Sequence, residues 1–446
     1  MPAWKRNISI FLAGQSATTL GSMLVSFAVM WHLTLRTQSG AVMMAVIVFG
    51  MMPQALVSLY GGSWADRYNR KALLIGANVG TAVTTLTLAL MLHAGIEALW
   101  VFYLTMAVRS ALQGVLQPAA NAIIPGLVPT GQLMRINGIS ESIGSAAMLI
   151  APLFAGAFYE NIGLVPIFLV DVGASLAAVL FLAFLPTVRV VADDADAEQP
   201  AGGLRVLCDL RVGLRYVARH QTVRWLMLVY AVAMAMAAAP AFLTPLMMAR
   251  TFGPDVWRLT ANEMFWAAGS LLAGLTMAAI GHRLKRHLRI IVGALVLTGV
   301  LTIALGLAGN MWLYLALVFA VATAFSAITI PEFTMLQQTV DPTMMGRVFG
   351  LVSIITSVSM SLAMGVMGPL ADHVSVESLL VVSGALLVVV IAGLLGFRSL
   401  RSLLAAQPSS VPREDLARPQ HPHDAQVAVR DDDVRPAARH EAAHVA

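Results

Sequence analysis

Twelve apolar runs, each about as long as the 20 residues a helix needs to cross a bilayer, follow one another with short polar breaks between them. They lie near 8–33, 41–61, 72–93, 98–118, 136–158, 162–185, 223–247, 261–281, 288–308, 312–335, 346–370 and 376–398. The chain is 58% hydrophobic and 11% charged, too few charges to cover a soluble globule of 446 residues. In lipid a spanning segment must satisfy its own backbone hydrogen bonds. Continuous apolar runs with Gly and Pro inside them do this as helices, whereas barrel strands would alternate with period two. The expected fold class is therefore an all-α polytopic membrane protein with twelve transmembrane helices.

Charge gives the orientation. With the N-terminus inside, Lys5, Arg6, Arg67, Arg70, Lys71, Arg135, the cluster Arg283 to Arg289, Arg347 and Arg398 share one side, and only Arg36, Arg250 and Arg258 reach the other. Loops rich in Lys and Arg stay in the cytoplasm, which places both termini there, in a multi-pass protein of the cell membrane. The calculated pI near 9.6 is explained by this topogenic use, so no nucleic-acid partner is implied. Lys5 and Arg6 precede an apolar run too long for a signal-peptide core, so the first helix is its own insertion signal. The single Cys208 excludes a disulfide framework within one chain.

The longest internal break divides the spans six and six, giving an N-terminal bundle over 1–186, a cytoplasmic linker over 187–222 and a C-terminal bundle over 223–400. Within the linker, Leu207, Leu210, Leu214 and Val217 recur at helical spacing opposite Arg205, Arg211, Arg215 and Arg219. That pattern fits either a helix lying on membrane lipid or a solvated linker helix. The tail over 401–446 changes to Pro, Ala, Arg, Asp and His and is expected to be disordered. Its His440-Glu441-Ala442-Ala443-His444 matches a zinc-protease pattern but has no scaffold to hold a metal, so neither a metal site nor a cofactor is expected.

The two halves repeat each other. Pro118 and Pro331, Pro129 and Pro342, and Thr130 and Thr343 are each 213 residues apart, and Arg135 and Arg347, and Gly138 and Gly350, are 212 apart. An ordered set of this kind reads as a parallel duplication: two pseudo-symmetric six-helix bundles related by an axis along the membrane normal. Solutes in such an arrangement bind between the halves, whose rocking exposes the site to each side in turn.

Between the second and third runs stands a polar knot, Gly62-Ser63-Trp64-Ala65-Asp66-Arg67-Tyr68-Asn69-Arg70-Lys71. Its Gly62, Asp66, Arg67, Arg70 and Lys71 resemble the signature loop of the major facilitator superfamily, with Asn69 where that pattern has Gly. Asn tolerates a left-handed turn, so the loop geometry is expected to survive. The resemblance implies a major facilitator fold over residues 1 to about 400 and a conformational latch at these five residues. In it, Asp66 would accept hydrogen bonds from the first turn of a helix in the other half and stabilise the outward-open state.

Arg109 lies near the middle of the fourth run, where a guanidinium costs several kcal/mol unless it faces protein or water. Arg109-Ser110-Ala111-Leu112-Gln113-Gly114 resembles, with one extra residue of spacing, the span-four motif of superfamily antiporters, and the resemblance links Arg109 to proton transfer. The partnering carboxyls are Asp171, which is deepest, then Glu141 and Glu332. Each can instead belong to a structural ion pair with Arg109 or Arg135. Gly144, Ala151-Pro152 and Gly156 in the fifth run, and Gly365, Gly368 and Pro369 in the eleventh, are similar to the antiporter motif of span five, which favours export. Gln15, Thr19, Ser22 and Ser26 form a polar stripe on the first run, the expected substrate cavity; hydrogen bonding between helices is its ordinary alternative. With 25 methionines in the chain, the stripe suits a large amphipathic small molecule.

Phe11-Leu12-Ala13-Gly14-Gln15, Trp31-His32-Leu33-Thr34 and Ile136-Asn137-Gly138 resemble the macrolide-efflux and siderophore-exporter branch of drug:proton antiporters. The implied function is a monomeric secondary exporter of amphipathic drugs or a secreted metabolite, exchanging them for protons. Siderophore export, a lysophospholipid flippase and a non-transporting receptor remain alternatives. No nucleotide loop or nucleophile motif points to an enzyme.

Overall fold

A computed structural model of the chain describes residues 3–129, 132–185, 203–280, 287–341 and 344–396, and all their long elements are helices. The tail over 401–446, with His440, Glu441 and His444, lies outside the described residues, as do the side chains of Asp66, Arg67 and Glu141 and the surroundings of Gly62 within helices.

Six helices form the first half: α1 (Ala3–Thr37), α2 (Gly40–Arg67), α3 (Arg70–His93), α4 (Leu99–Leu127), α5 (Leu133–Ile162) and α6 (Leu164–Ala183). The helix α7 (Gly203–Arg219) follows in the linker. The second half holds α8 (Gln221–Phe242), the short α9 (Thr244–Met247) running into a π-helical turn (Met248–Phe252), α10 (Val256–Ile280), α11 (His287–Gly306), α12 (Met311–Thr339), α13 (Met345–Leu370) and α14 (Val376–Gly396). Among the described residues, eleven helical segments are long and apolar enough to cross a membrane. The expected eighth span forms as α10, whose first turns carry Arg258, Asn262 and Glu263.

Every expected run became a helix, with the largest differences at the basic end, where α4 and α2 extend furthest past the apolar stretch. Helix propensity does not stop where lipid does, and local chemistry sets the ends. Ser39 caps α2, Asn69 caps α3 by accepting from the Lys71 and Ala72 amides, and Asn310 caps α12. Asn69 does this at φ −60° and ψ 109°, in extended rather than left-handed backbone, so at this position Asn replaces the family's Gly as a helix cap. Gly163, at φ 84°, reverses the chain between α5 and α6 in one residue, a conformation costly for any side chain.

The apolar core shows how the halves meet. At the face opposite the basic loops one continuous core draws on both halves, from Val25, Trp31 and Phe168 to Leu246, Tyr314 and Leu380. Toward the basic face it divides. One cluster belongs to the first half (Ile8, Leu74, Leu116, Ile123) and another to the second (Val223, Ile291, Ile328, Leu336). The molecule is thus closed at the opposite face, and its two half-cores separate toward the basic face.

Two crossings make that closure. The helix α2 packs on α13 where Gly40 meets Gly368 backbone to backbone, and α5 packs on α10 where Gly156 lies against Thr260. Gly156 and Gly368 are 212 residues apart, the offset of the internal repeat. The helix α7 docks on α13 through Gly213, against Leu351 and Arg347, and the Asp341 amide donates to the Tyr216 hydroxyl at 3.1 Å. Leu210 and Val217 are partly buried there, but Leu214 is 53% exposed, so the expected four-residue apolar face is only partly covered.

Candidate functional site

Lipid-facing helices are apolar all round, so a polar side chain at mid-depth marks the faces that look at other helices. On α3, Asn78, Thr81 and Thr85 recur at helical spacing and are all buried. On α6, Asp171 and Ser175 are fully buried one turn apart. With Arg109 of α4 and Ser22 of α1 these residues form a polar spine inside the first half.

At its centre is an ion pair. Arg109 Nη1 lies 2.5 Å from Asp171 Oδ2, with side-chain exposures of 7% and 0%. Thr85 joins both partners: its hydroxyl accepts from Arg109 Nη1 and donates to Asp171 Oδ2 at 2.8 Å. The other guanidinium nitrogen donates to Asp171 Oδ1 at 3.4 Å and to Ser22 Oγ at 3.3 Å, and Gln113 Nε2 reaches the same Ser22 oxygen at 3.3 Å. Gly21 makes room: a Cβ there would stand 2.9 Å from Asp171 Oδ1. A charge pair removed from water needs its remaining hydrogen-bonding capacity filled, and Thr85, Ser22 and Gln113 do this.

The expected residues divide as follows. Arg109, Asp171 and Ser22 meet in this one cluster. Ser26 is exposed and donates back to the Ser22 carbonyl at 2.9 Å, while Gln15 and Thr19 are half-buried on the same stripe. Glu332 lies in the other half, on the α12 face that carries Ile328 and Leu336. It is wholly buried, and neither of its carboxyl oxygens has a hydrogen-bond partner. It forms no ion pair with Arg109. Arg70 and Lys71 grip the first half itself: Arg70 Nη1 donates to the Ala122 carbonyl of α4 at 2.8 Å, and Lys71 Nζ to the carbonyls of Ala183 and Leu185 at 2.9 and 2.6 Å. Lys71 thereby sits at the negative end of α6, where a cation is stabilising. Thr85 and Gly21 were not singled out from sequence, although the Asn78, Thr81, Thr85 stripe in an apolar helix was their signal.

Known proteins place this arrangement. The chain is 25% identical over 392 residues to macrolide efflux protein A of Streptococcus pyogenes, covering 86% of this chain and 94% of the relative. It is 25% identical over 363 residues to the multidrug resistance protein MdtG of Enterobacter lignolyticus, covering 78% and 81%. In fold it is similar to a bacterial homologue of the lysosomal transporter spinster solved in an inward-facing, unoccupied conformation, with a TM-score of 0.66 at 16% identity over 92% of this chain and 100% of that one. It is also similar to a POT family transporter in complex with 5-aminolevulinic acid, with a TM-score of 0.69 at 10% identity over 88% and 96%. The Major Facilitator Superfamily model matches residues 7–364. This multi-pass membrane protein, a transporter and not an enzyme, belongs to the Major Facilitator Superfamily.

Proposed function

We propose that the protein is a secondary exporter that moves an amphipathic small molecule out of the cell in exchange for protons, by alternating access between 1–186 and 223–400. Relatives named for macrolide efflux and multidrug resistance support the export reading at 25% identity. The positive-inside asymmetry of the loops puts the basic face and both termini in the cytoplasm. The structure then corresponds to a state closed toward the outside.

The observation that carries proton coupling is Glu332. A carboxyl with no exposure and no hydrogen-bond partner costs several kcal/mol if ionised, so the neutral acid is the form this packing accommodates. For protons to enter the cell, this group must load in the outward-open tilt and release its proton to the cytoplasm once α12 is wetted from the basic face. Coupling then needs only that proton release and substrate movement belong to opposite tilts. The Arg109–Asp171 pair plays a second part. Its charge is matched in the closed-outside state, and any shift of α1 against α4 disturbs Ser22, the one contact tying the pair to the polar stripe of Gln15, Thr19 and Ser26. Glu141 is kept as a further proton candidate on α5. The latch at Gly62, Asp66, Arg67, Arg70 and Lys71 is kept in this reading as the contact that stabilises the outward-open tilt.

The test is transport into inside-out vesicles across a macrolide and cationic-drug panel with an imposed pH gradient. Uptake that collapses with the gradient supports antiport, and uptake indifferent to it overturns the proton reading.

A further inference from the structure

Helix N-termini leave their first amides without intrahelical partners, and these must be satisfied locally or from elsewhere. For α2 the accounting can be completed. The Ser39 amide donates to Thr37 Oγ1 at 3.3 Å, the Val42 amide to Ser39 Oγ at 3.4 Å and the Met43 amide to the Ser39 carbonyl at 3.2 Å. The remaining two amides are satisfied from the other half of the protein. Gly40 donates to Asp372 Oδ1 at 2.6 Å and Ala41 to Asp372 Oδ2 at 3.0 Å, while the Ser39 hydroxyl donates to the same Oδ2 at 2.9 Å. Asp372 stands just past the end of α13, one turn beyond the Gly368 crossing.

The other crossing repeats the device with the halves exchanged. Glu160 of α5, one turn beyond Gly156, accepts at Oε1 from the Trp257 amide in the first turn of α10 at 3.1 Å. Glu160 and Asp372 are 212 residues apart, as are Gly156 and Gly368. The duplication has therefore given each seam the same two parts: a glycine where the helices touch, and four residues later a carboxylate that reaches the positive end of a helix in the opposite half.

The two copies are unequal. Only the α2–α13 seam has Arg250, from the π-helical turn. Its Nη2 lies 3.3 Å from Asp372 Oδ1, its Nη1 donates to the Ala371 carbonyl at 2.6 Å, and its Nε donates to the Gln38 carbonyl of the first half at 3.0 Å. Gln38, at φ 46°, is the one non-glycine residue with left-handed backbone among those described.

We infer that Glu160 and Asp372 are a repeat-related pair of positioning residues that hold the outer gate shut, each by capping the first turn of a helix in the other half, with Arg250 reinforcing the Asp372 clamp. The inference rests on the alternating-access reading above. Separation of the halves at this face withdraws both carboxylates and strands the amides of Gly40, Ala41 and Trp257, so the clamps favour the closed-outside state and oppose the outward-open one. They act at the opposite end of the molecule from the loop at Gly62 to Lys71.

The experiment uses the full chain in lipid nanodiscs with Cys208→Ser and spin labels at two pairs of exposed sites. Ile96 with Leu307 reports the outer face, and Tyr68 with Gln338 the inner face. Distances are measured by double electron–electron resonance. Losing a helix cap costs about 1 kcal/mol, so Glu160→Ala should raise the outward-open to closed-outside ratio about fivefold, Asp372→Ala, which also frees Ser39 and Arg250, by more than that, and the double variant by about the product. Glu97→Gln, which removes an outer carboxylate paired with Arg36 inside the first half, should leave the ratio unchanged. If the alanine pair does not purify as a monodisperse protein, Glu160→Gln with Asp372→Asn reads the same shift at smaller size. An outer-distance distribution in the double variant identical to that of the parent overturns the inference. Failure of alternating access looks different: outer and inner distances would not change in opposite senses in any variant, in Gly368→Val, or on adding a macrolide that the vesicle assay shows to be transported.

Discussion

At the scale of single residues, the buried charges have distinct environments and so distinct expected phenotypes. Asp171→Asn leaves Arg109 unmatched at 7% exposure and should cost about 3–5 kcal/mol of stability. Replacing both partners by Met at 109 and Leu at 171 should recover most of that loss without recovering transport. Denaturant unfolding in micelles, run beside efflux assays, separates the two effects, and an unaltered midpoint for Asp171→Asn would remove the pair from the stability account. Glu332→Gln keeps shape and neutrality, so the fold should hold to within about 1 kcal/mol. Gradient-driven transport should vanish while substrate exchange without a gradient continues. That Arg109 had to face protein or water was legible in the sequence, and depth put Asp171 first among the three carboxyls. That Thr85 and Ser22 would complete the pair was not, since this depends on α1, α3, α4 and α6 turning the right faces together.

At the scale of helices, close approach depends on absent side chains. A Cβ at Gly368 would stand 2.5 Å from Met44 Cβ and 2.7 Å from the Gly40 carbonyl oxygen, a contact relieved only by moving one helix from the other. Gly368→Val should therefore raise the outward-open population with the inner latch untouched, read by the same spin-label distances. Gly76→Ala, with nothing within 4 Å, should leave the distribution as it is. The spans themselves were readable because lipid forces each to be long, apolar and self-bonded. The glycines at 156 and 368 were readable as close-packing residues, but their partners were not: Thr260 and Gly40 bear no mark of the helices they face. Glu160 and Asp372 bore no mark in the sequence, because their partners are backbone amides, which every residue but proline has. Only the 212-residue offset distinguishes them, once the glycines have been seen to pair at the same spacing.

At the scale of the molecule, the proposed antiport would have protons arrive on the face where Asp372 sits, yet this carboxyl is unsuited to sensing them. Burial alone would raise it. The Ala41 and Gly40 amides, the Ser39 hydroxyl and the Arg250 guanidinium outweigh that and hold it below its ordinary 3.8. His373 follows it in sequence, and Arg250 is the charged side chain in contact. A depressed carboxyl stabilises the closed gate fully above its free value and loses that effect as pH falls through the closed-state value. Between pH 8 and 5 the Asp372 clamp should thus be constant, and Asp372→Asn should shift the gate equilibrium by the same factor at both ends. Any pH dependence of the outer distances in that range should instead disappear in Glu332→Gln.

The unequal seams have one more consequence. A door secured by a hinge on one edge and a light catch on the other opens along the catch. The α2–α13 edge holds Asp372, Ser39 and Arg250, whereas the α5–α10 edge holds one carboxylate on one amide. Opening should therefore start between α5 and α10, as a slot facing the outer leaflet. An amphipathic passenger would then leave sideways into the membrane surface before a central pore toward water had formed.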